Sequence, residues 1–535
     1  MANPSLQIGN DNWAIKEDDL LGYSKAGTRF VPEPITMTRA SAGTRVNSEG
    51  LVETVELLGS ELVDNGSFTT DSDWDKTGTW SIESNYATAS GNSTSQYIQQ
   101  DFTITNGKTY LFTYEIIENT LNGSGSALSG SGGFVQIFLS NVIGTHQVYI
   151  TADDDAAAYA LKIGVSATAT TGTIKLDNVS VKEYTANNLA RVDYDGTASS
   201  LLAEPMRTNL IPYSEDFTGW LRSGSITTTP NYTTSPSGQN NATRLQWTNA
   251  TNFIYQNLSH VGSDFTLSIY LKSNTNVSQN VRLFMDNGAQ TQNVVVTTQW
   301  QRFEFTNTST PTQSNRNTGL IKSSSQVGDL DISIWGAQFE EGSYATSYIP
   351  TDGSTVTRVQ DQYSKTGISN LINSEEGVLF AEMAALANDG TYREISLNDG
   401  TTNNVVEIRY NPLDNQFQFV IRNGGAVDVA ETITLSNALD FNKIAFSYKS
   451  NDYKMYVNGV KVATDTSGTM PSGLDTLSLD WGGYGVNPFY GKVKQLQVFK
   501  TALTDDELTI LTGTSGVHFF PSYAAMASVL TYTIE

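Results

Sequence analysis

The chain has 535 residues, more than a single hydrophobic core usually holds, and we therefore expect about three or four domains. Its 44 glycines, 25 tyrosines and 22 phenylalanines, with only 16% charged residues, favour short β-strands joined by turns. A formal net charge of −24 argues against a nucleic-acid partner, and the lack of cysteine excludes disulfides and thiolate zinc sites. The start MANPSLQIGN lacks the features of a signal peptide, and no run of about 18 apolar residues predicts membrane insertion.

Residues 1–56 form a short N-terminal segment that precedes the first regular pattern. From residue 57 to residue 187, about eight short alternating segments follow one another with turn signals between them, among them YIQQDFTI, KTYLFTYEI and TGTIKLDNVSVKEY. Alternation with a period of two is typical of strands with one buried face. Many such strands at close spacing predict a β-sandwich or jelly roll.

Residues 188–350 repeat this plan. The opening LVDNGSFTTDSDW of the first unit is matched by LIPYSEDFTGW in the second, with Leu, Ser, Phe and Trp in the same order. The closing segments TIKLDNVSVKE and LDISIWGAQFEE both alternate apolar residues before an acidic end. We therefore predict a second jelly roll, related to the first by internal duplication.

A third β-rich unit occupies residues 367–515, after a linker at residues 351–366. Within it, Asn458-Gly459 between two alternating segments predicts a two-residue hairpin turn. Thr504, followed three residues later by Glu507, predicts the start of a helix. Residues 516–535 form a C-terminal tail to which we assign no chemistry.

Three separate segments resemble the framework of bacteriophage tail-fibre and other virion surface proteins. They are ITMTRASAGTRVNSEGLVE (Ile35–Glu53), ARVDYDGTASSLLAEPMRTNLIPYSEDFTGW (Ala190–Trp220) and EEGSYATSYIPTDGSTVTRVQD, which contains Ala345–Arg358. In such proteins the first two segments follow one another almost directly, whereas here residues 55–189 separate them. We therefore interpret the first jelly roll as an insertion, which places its two ends close together.

This framework resemblance implies a structural role on the virion surface, in a tail fibre, a head fibre or another tail or capsid appendage, after synthesis in the host cytoplasm. Residues 1–56 would then be a virion-anchoring segment that contacts other virion proteins. Appendages of this kind are commonly homotrimers, so a homo-oligomer is implied. No coiled-coil heptads or glycine-periodic shaft are found in the sequence to support a trimer.

Two further resemblances concern single units. Residues 57–187, with ELVDNGSF at the start and IKLDNVSV at the end, are similar to carbohydrate-binding jelly rolls attached to glycoside hydrolases. Residues 367–513, with YKMYVNGVKV and YGKVKQLQVFKTALTDDELTIL, resemble a laminin G or concanavalin A-like sandwich. The expected fold class is all-β: two jelly rolls in tandem, a concanavalin A-like or laminin G-like sandwich and a short N-terminal anchor.

No catalytic constellation is found in the sequence. The three histidines, His146, His260 and His518, lie in no nucleophile motif and are expected at the surface or in turns. Concanavalin-like glucanases carry two Glu with an Asp between them on one strand, and no E-x-D-x-x-E pattern occurs here. We expect no enzyme activity; a polysaccharide depolymerase is kept as an alternative.

A metal is considered only for the first jelly roll. In the carbohydrate-binding jelly rolls that it resembles, an Asp of the closing strand contributes to a structural calcium site, and Asp177 matches that position. Calcium needs six to eight oxygen ligands, so one Asp is not a site. The acidic run Asp153–Asp155 is interpreted as a solvated turn. No cofactor is required, and structural calcium is the one metal left open.

Sugar binding by folds of this kind uses an exposed aromatic ring that stacks on a pyranose, with polar side chains fixing the hydroxyls. The main candidates lie in the cluster WGGYGVNPFY, where two glycines and several rings could shape a shallow groove: Trp481, Tyr484, Asn487, Phe489 and Tyr490. Trp74 and Trp80 are further candidates in turn-rich contexts. For Trp220 and Trp335, packing in a core is the better interpretation.

The function expected from these observations is that of a structural phage surface protein. It would bind host surface polysaccharide weakly and without catalysis, and many copies would act together. A purely structural decoration or fibre component without a glycan ligand is the alternative from a different class.

Overall fold

The structure is a computed structural model that describes most of the chain: residues 3–10, 13–16, 19–26, 29–55, 57–83, 85–122, 126–128, 134, 137–139, 143–152, 161–186, 189–259, 264–307, 316–483, 485–513 and 533–534. Strands dominate this described part, as the predicted all-β class requires. None of its helices has the length and apolar character needed to cross a membrane.

The N-terminal segment is itself rich in strands. These are β1 (Leu6–Gly9), β2 (Ala14–Lys16), β3 (Asp19–Ala26), β4 (Arg29–Thr38), β5 (Gly43–Val46) and β6 (Val52–Val55). Strands β3 and β4 pair as a hairpin, and β5 and β6 form a second hairpin.

The first sandwich follows directly. Its strands are β7 (Leu57–Glu61), β8 (Asp75–Lys76), β9 (Ser81–Glu83), β10 (Tyr86–Ser90), β11 (Gln96–Gln100), β12 (Thr109–Asn119), β13 (Ser126–Leu128), β14 (Ile137–Phe138), β15 (Gly144–Thr151), β16 (Leu161–Val165) and β17 (Thr173–Ala186). One sheet has the order β15-β12-β17-β10-β9, with β7 also on β17, and the other has the order β14-β13-β16-β11-β8. The pairing of Leu57 with Ala186 brings the two ends of this sandwich side by side, as an insertion requires.

The second sandwich begins after a short return to the framework. The framework strands are β18 (Arg191–Asp195) and β19 (Ala198–Ala203). The strands that follow are β20 (Arg207–Asn209), β21 (Leu221–Ser223), β22 (Thr227–Thr233), β23 (Ala242–Trp247), β24 (Phe253–Leu258), β25 (Phe265–Ser273), β26 (Gln279–Met285), β27 (Gln290–Val296), β28 (Gln301–Asn307), β29 (Arg316–Lys322), β30 (Leu330–Glu341) and β31 (Val356–Arg358), with a 3₁₀ turn at Asp286–Gly288. Its sheets have the orders β21-β24-β29-β26-β27 and β22-β23-β30-β25-β28, and β20 pairs with β31.

The two sandwiches share one topology. When β8 to β17 of the first are replaced in order by β21 to β30 of the second, both strand orders are reproduced. The matched openings also correspond in space: Phe68 lies 5.3 Å from Trp74, and Phe217 lies 5.0 Å from Trp220, measured between ring centroids, with each pair in its core. This agreement is what the predicted duplication requires.

The C-terminal sandwich contains the remaining elements. They are β32 (Gln362–Lys365), β33 (Glu376–Ala385), β34 (Arg393–Asn398), β35 (Val405–Tyr410), β36 (Gln416–Asn423), β37 (Ala426–Thr434), β38 (Asn442–Lys449), β39 (Tyr453–Val457), β40 (Val460–Asp465), β41 (Thr476–Ser478), β42 (Gly491–Phe499), α1 (Asp505–Thr512) and β43 (Thr533–Ile534). One sheet runs β40-β39-β38-β33-β42, and the other runs β37-β36-β35-β34-β41-β32.

Strands from the N-terminal segment and from the framework segment after the first sandwich complete this C-terminal sandwich. Strands β1 and β19 pair with β42, and β4 pairs with β3 through its first half and with β32 through its end. Leu6, Trp13 and Val192 are buried in the same core as Phe419 and Leu496. The segment predicted as an N-terminal anchor is therefore part of the C-terminal sandwich, while its attachment to a virion stays a prediction.

Two local predictions are confirmed. Asn458 and Gly459 have φ values of 50° and 85°, and Val457 pairs with Val460 across them, which is a two-residue primed turn. Thr504 accepts a hydrogen bond from the Glu507 N–H, and the Glu507 side chain accepts one from the Thr504 N–H, so α1 begins with a capping box.

The three framework segments meet in a cluster of buried polar side chains, which we name the join network. Its members are Arg39, Arg191, Glu204, Ser347, Arg358 and Asp361. Asp361 Oδ1 accepts from Arg39 Nη1 at 2.9 Å, and Asp361 Oδ2 pairs with Arg191. Glu204 Oε2 lies 2.5 Å from Arg191 Nη1 and 2.9 Å from Arg358 Nη1. Each framework segment thus supplies at least one charge.

Burial of these charges is tolerated because each arginine faces at least one carboxylate. Burial alone would raise the pKa of Glu204, but Arg358 and Arg191 lower it well below its ordinary range. Ser347 adds hydrogen bonds to Glu204 from its N–H and from its Oγ, both at 2.7 Å. Arg358 and Asp361, within the predicted linker at residues 351–366, are buried in the molecule.

Candidate functional site

The outer face of the sheet β37-β36-β35-β34-β41 is unusually polar. Side chains alternate along each strand, so Ile395 and Ile408 point into the core while their neighbours point outward. The outward side chains of β34 to β36 and β41 include Glu394, Ser396, Asn398, Glu407, Arg409, Gln418, Arg422 and Ser478. A sheet face of this kind offers hydrogen-bonding groups rather than an apolar docking surface.

The loop at residues 480–490 lies across this face. Its turn is closed by Asp480, whose carboxylate accepts from the N–H groups of Gly483 at 2.8 Å and Gly485 at 2.6 Å. Gly482 has φ of 73°, and a Cβ there would lie 2.7 Å from the carbonyl oxygen of Thr401. Only glycine therefore allows the loop to lie this close to the sheet.

Trp481 is the half-buried ring of this loop. The backbone N–H of Trp481 donates to the Val486 carbonyl at 2.9 Å, and the guanidinium of Arg422 lies 5.1 Å from the centroid of the indole ring. Gly482 lies against Thr401, which follows β34, whereas Arg422 is on β36. The loop therefore rests on residue 401, while its indole lies beside Arg422 on β36.

Two buried glutamates lie under this loop. Glu394 and Glu407 occupy neighbouring strands, and Arg409 Nη1 lies 3.2 Å from Glu394 Oε1 and 2.9 Å from Glu407 Oε1. Asn487 Nδ2 donates to Glu394 Oε1 at 3.0 Å and fixes the loop to the pair. Burial first, and then the charge of Glu394, raises the pKa of Glu407 to about 8; burial also raises the pKa of Glu394. The pair therefore shares a proton at neutral pH.

The structure brings together only some of the predicted sugar-binding residues. Trp481, Asn487 and Tyr490 are half-buried at the loop, and the Tyr490 hydroxyl donates to Gln360 Oε1 at 2.9 Å. Tyr484 lies outside the described residues. Sugar binding by the residues of this loop stays a prediction.

The prediction of sugar stacking is wrong for three residues. Trp74 and Trp80 are each 5% exposed in the core of the first sandwich, and Phe489 is 1% exposed in the core of the C-terminal sandwich. A ring packed on both faces by protein cannot stack on a sugar. Trp220 and Trp335, at 2% and 1%, are core residues as predicted.

Asp177, the predicted calcium ligand, lies opposite Glu115 on the neighbouring strand β12. Asp177 Oδ1 accepts from the Asn178 N–H at 2.7 Å, and the carboxylate of the neighbouring Glu115 accepts from Asn178 Nδ2 at 2.6 Å. Among the residues that the structure describes, no three His, Asp or Glu side chains converge on a point. The run Asp153–Asp155 lies outside them. Calcium binding stays a prediction.

His146 is half-buried on β15, with its ring stacked 5.2 Å from Tyr114, and His260 and His518 lie outside the described residues.

The carboxylate pattern of concanavalin-like glucanases lies on a single strand, whereas Glu394 and Glu407 lie on two neighbouring strands. The signal for the pair was present, since Glu394 in REISLN and Glu407 in VVEIRY both fall on the polar side of the alternation. Only the register, with Ser396 opposite Glu407 and Glu394 opposite Arg409, makes them neighbours.

Comparisons with known proteins assign the fold of this region. Residues 383–509 match the family model of the concanavalin A-like lectin/glucanases superfamily. A search of curated proteins finds no match. The chain therefore consists of β-sandwiches, of which the C-terminal one is a concanavalin A-like domain, as the sequence predicted.

Several solved structures are similar to parts of the chain. The CBM40 of the Ruminococcus gnavus IT-sialidase, bound to alpha2,3 sialyllactose, is 21% identical over 26% of this chain and 84% of its own, with a TM-score of 0.24. The CBM22-1-CBM22-2 tandem of Paenibacillus barcinonensis Xyn10C is 10% identical over 54% of this chain and 98% of its own, with a TM-score of 0.20. Mouse laminin alpha1 domains LG4-5 are 10% identical over 60% and 96%, with a TM-score of 0.20.

Proposed function

We propose that this chain is a non-catalytic glycan-binding protein displayed on the surface of a bacteriophage particle. The glycan binds at the outer face of the concanavalin A-like domain, against Trp481 and beside Asn487 and Tyr490. Host surface polysaccharide is the partner, and many weak contacts act together on one particle. Chemistry on the sugar plays no part in this role.

The half-buried indole of Trp481 is the observation that carries this proposal. A ring of this kind stacks on the CH groups of a pyranose, and the burial of apolar surface adds to the contact. The loop is held by the Asp480 turn and by the Asn487–Glu394 bond, so little conformational entropy is lost when a sugar binds. Arg409 and Gln418 add hydrogen-bonding groups on the neighbouring strands.

The phage assignment is supported by the framework resemblance. The three segments that resemble virion surface proteins are far apart in sequence, and all of them contribute to the join network. Their resemblance therefore concerns one structural unit rather than three unrelated stretches. Electron microscopy of intact particles labelled with an antibody against this chain would test the location; a chain that is absent from particles would overturn it.

Glycan binding is tested with purified protein on an array of bacterial surface polysaccharides. The wild type should bind a subset without releasing reducing ends, and Trp481→Ala should bind at least about tenfold more weakly, because the stacking surface is lost. Tyr149→Ala is the matched control, since this ring is 45% exposed on the first sandwich. Equal binding by Trp481→Ala, or no binding by the wild type, would contradict the proposal and favour a purely structural role.

A polysaccharide depolymerase is the second candidate because of the glutamate pair. Glycoside hydrolysis uses two carboxyl groups, one of them protonated, and Glu394 and Glu407 supply such a pair. Both are fully buried, so a substrate reaches them only after a local rearrangement. Release of reducing ends by the wild type, abolished in Glu407→Gln, would select this alternative.

A further inference from the structure

Two arginines lie on the outer face of this sheet. Arg409 on β35 is paired with both Glu394 and Glu407. Arg422 lies on the next strand, β36.

Arg422 forms no salt bridge with another residue that the structure describes, although Glu407 on the neighbouring strand interacts with it electrostatically. Its Nε is buried without a hydrogen-bond acceptor, and its guanidinium lies over the ring of Trp481, 5.1 Å from the ring centroid. Asp428 on β37 accepts from the Thr469 hydroxyl, and Asp480 accepts from the loop backbone. A half-buried donor group of this kind gains a hydrogen bond when a ligand brings an acceptor.

The position of this guanidinium relative to the stacking ring defines the ligand. A sugar stacked on Trp481 would lie within reach of Arg422, because the two side chains are in contact. Arginine presents a planar set of donors that matches a carboxylate, and such charge-assisted bonds are about twice as strong as neutral ones. A neutral sugar would offer Arg422 no charge-assisted bond.

We propose that the site selects acidic glycans, in which the carboxylate of a uronic-acid type sugar pairs with Arg422 while a pyranose ring stacks on Trp481. This inference rests on the proposed glycan-binding function. In this proposal Trp481 provides affinity for sugars in general, and Arg422 provides the selectivity for acidic over neutral sugars.

The test compares each acidic probe with its own carboxyl-reduced form. Oligogalacturonate, oligomannuronate and hyaluronan oligosaccharides are immobilised beside the same oligosaccharides after reduction of their carboxyl groups, and sulfated galactan oligosaccharides test whether any anionic group suffices. We expect an acidic probe to bind about tenfold or more tightly than its reduced form. Arg422→Gln should remove that preference while binding of the reduced probe remains.

Controls separate a specific effect from loss of structure. Arg422→Lys keeps the charge and should retain part of the preference. Arg282→Gln is a matched control, since Arg282 on the second sandwich also has a buried Nε without a partner. Thermal unfolding of each variant shows whether the domain is intact.

The outcomes distinguish the two proposals. Equal binding of acidic and reduced probes, or an unchanged preference in Arg422→Gln, overturns the selectivity for acidic glycans, while the proposed function survives if Trp481→Ala lowers binding. Equally tight binding of the sulfated probe shows that charge and not the carboxylate is recognised, which also overturns the assignment. Absence of binding to every probe, acidic or neutral, counts against both.

Discussion

The glutamate pair under the loop predicts a dependence of stability on pH that one substitution should remove. Glu407 is fully buried, its pKa is raised from 4.5 to about 8, and its carboxyl faces the buried Glu394 and Arg409. Between these two pH values the folded chain holds a proton that the unfolded chain has released. The contribution of this proton to the free energy of unfolding is therefore fully present below pH 4.5 and is lost as the pH rises towards 8.

The size of this pH effect follows from the difference between the pKa values of Glu407 in the folded and unfolded chain. Each pH unit in that window changes the free energy of unfolding by about 1.4 kcal/mol for one group, so the step from pH 5.5 to 7.5 removes roughly 3 kcal/mol. For a domain of this size, 1 kcal/mol corresponds to a shift of roughly 2–4 °C in Tm. The unfolding of the concanavalin A-like domain should accordingly begin roughly 5–10 °C lower at pH 7.5 than at pH 5.5.

Glu407→Gln should flatten this dependence because an amide keeps the shape of the protonated carboxyl and has no proton to lose. The measurement is calorimetry of the wild type and the variant at several pH values between 5 and 8. Glu431→Gln, on the edge strand β37, shows whether loss of any glutamate has the same effect. An equal decline with pH in wild type and Glu407→Gln would refute the shared proton and with it the electrostatic description of the site.

Three further predictions concern the framework and the sandwiches. Asp361→Asn removes the carboxylate that pairs with both Arg39 and Arg191 and should lower the free energy of unfolding by about 3–5 kcal/mol in urea titrations; a loss below about 1 kcal/mol would contradict the join network. Gly319→Ala should prevent folding of the second sandwich, since its Cβ would lie 2.1 Å from the Ile254 carbonyl oxygen, whereas Gly219→Ala, with open space around it, should be tolerated in the same solubility and circular dichroism assays. Replacement of residues 57–186 by a short linker should leave the rest folded with an unchanged Tm, because the two ends of that sandwich are paired neighbours; aggregation of the shortened chain would argue against an insertion.

Features encoded in a few adjacent residues could be predicted from the sequence. The turn at Asn458-Gly459 and the capping box of Thr504 depend on backbone preferences and hydrogen bonds within four residues. The alternation that predicted strands also holds, since it reflects burial of one face of each sheet. These signals fix the class of fold.

The assembly of the C-terminal sandwich could not be predicted, because it depends on pairings between distant parts of the chain. The Ser5 N–H donates to the Val498 carbonyl, and β1 lies beside β42, yet nothing local in the first ten residues indicates that partner. The segment therefore resembled a separate anchor. Long-range register is set by the completed core and not by the sequence of either strand.

Exposure was the weak point in predicting the site. Trp74 and Trp80 lie near turn-forming residues, which suggested surface rings, but both pack into the first core. Trp481 lies in a similar context and is half-buried, with its loop resting on a polar sheet face. Composition around a tryptophan does not distinguish these cases; the surface that the loop covers does.

The join network explains why the framework segments belong together while the first sandwich between them is separable. Arg191 is buried only because Asp361 and Glu204 neutralise it, and these acids lie on different segments. A chain that lacked one segment would bury an uncompensated charge, at a cost comparable to the whole stability of a domain. The first sandwich has its own core, and its two ends leave the framework side by side. The second sandwich differs, since Ala242 and Trp335 pack in one buried cluster with Val52 of the framework. Selection for a new ligand can therefore exchange the first sandwich without disturbing the domain that presents Trp481.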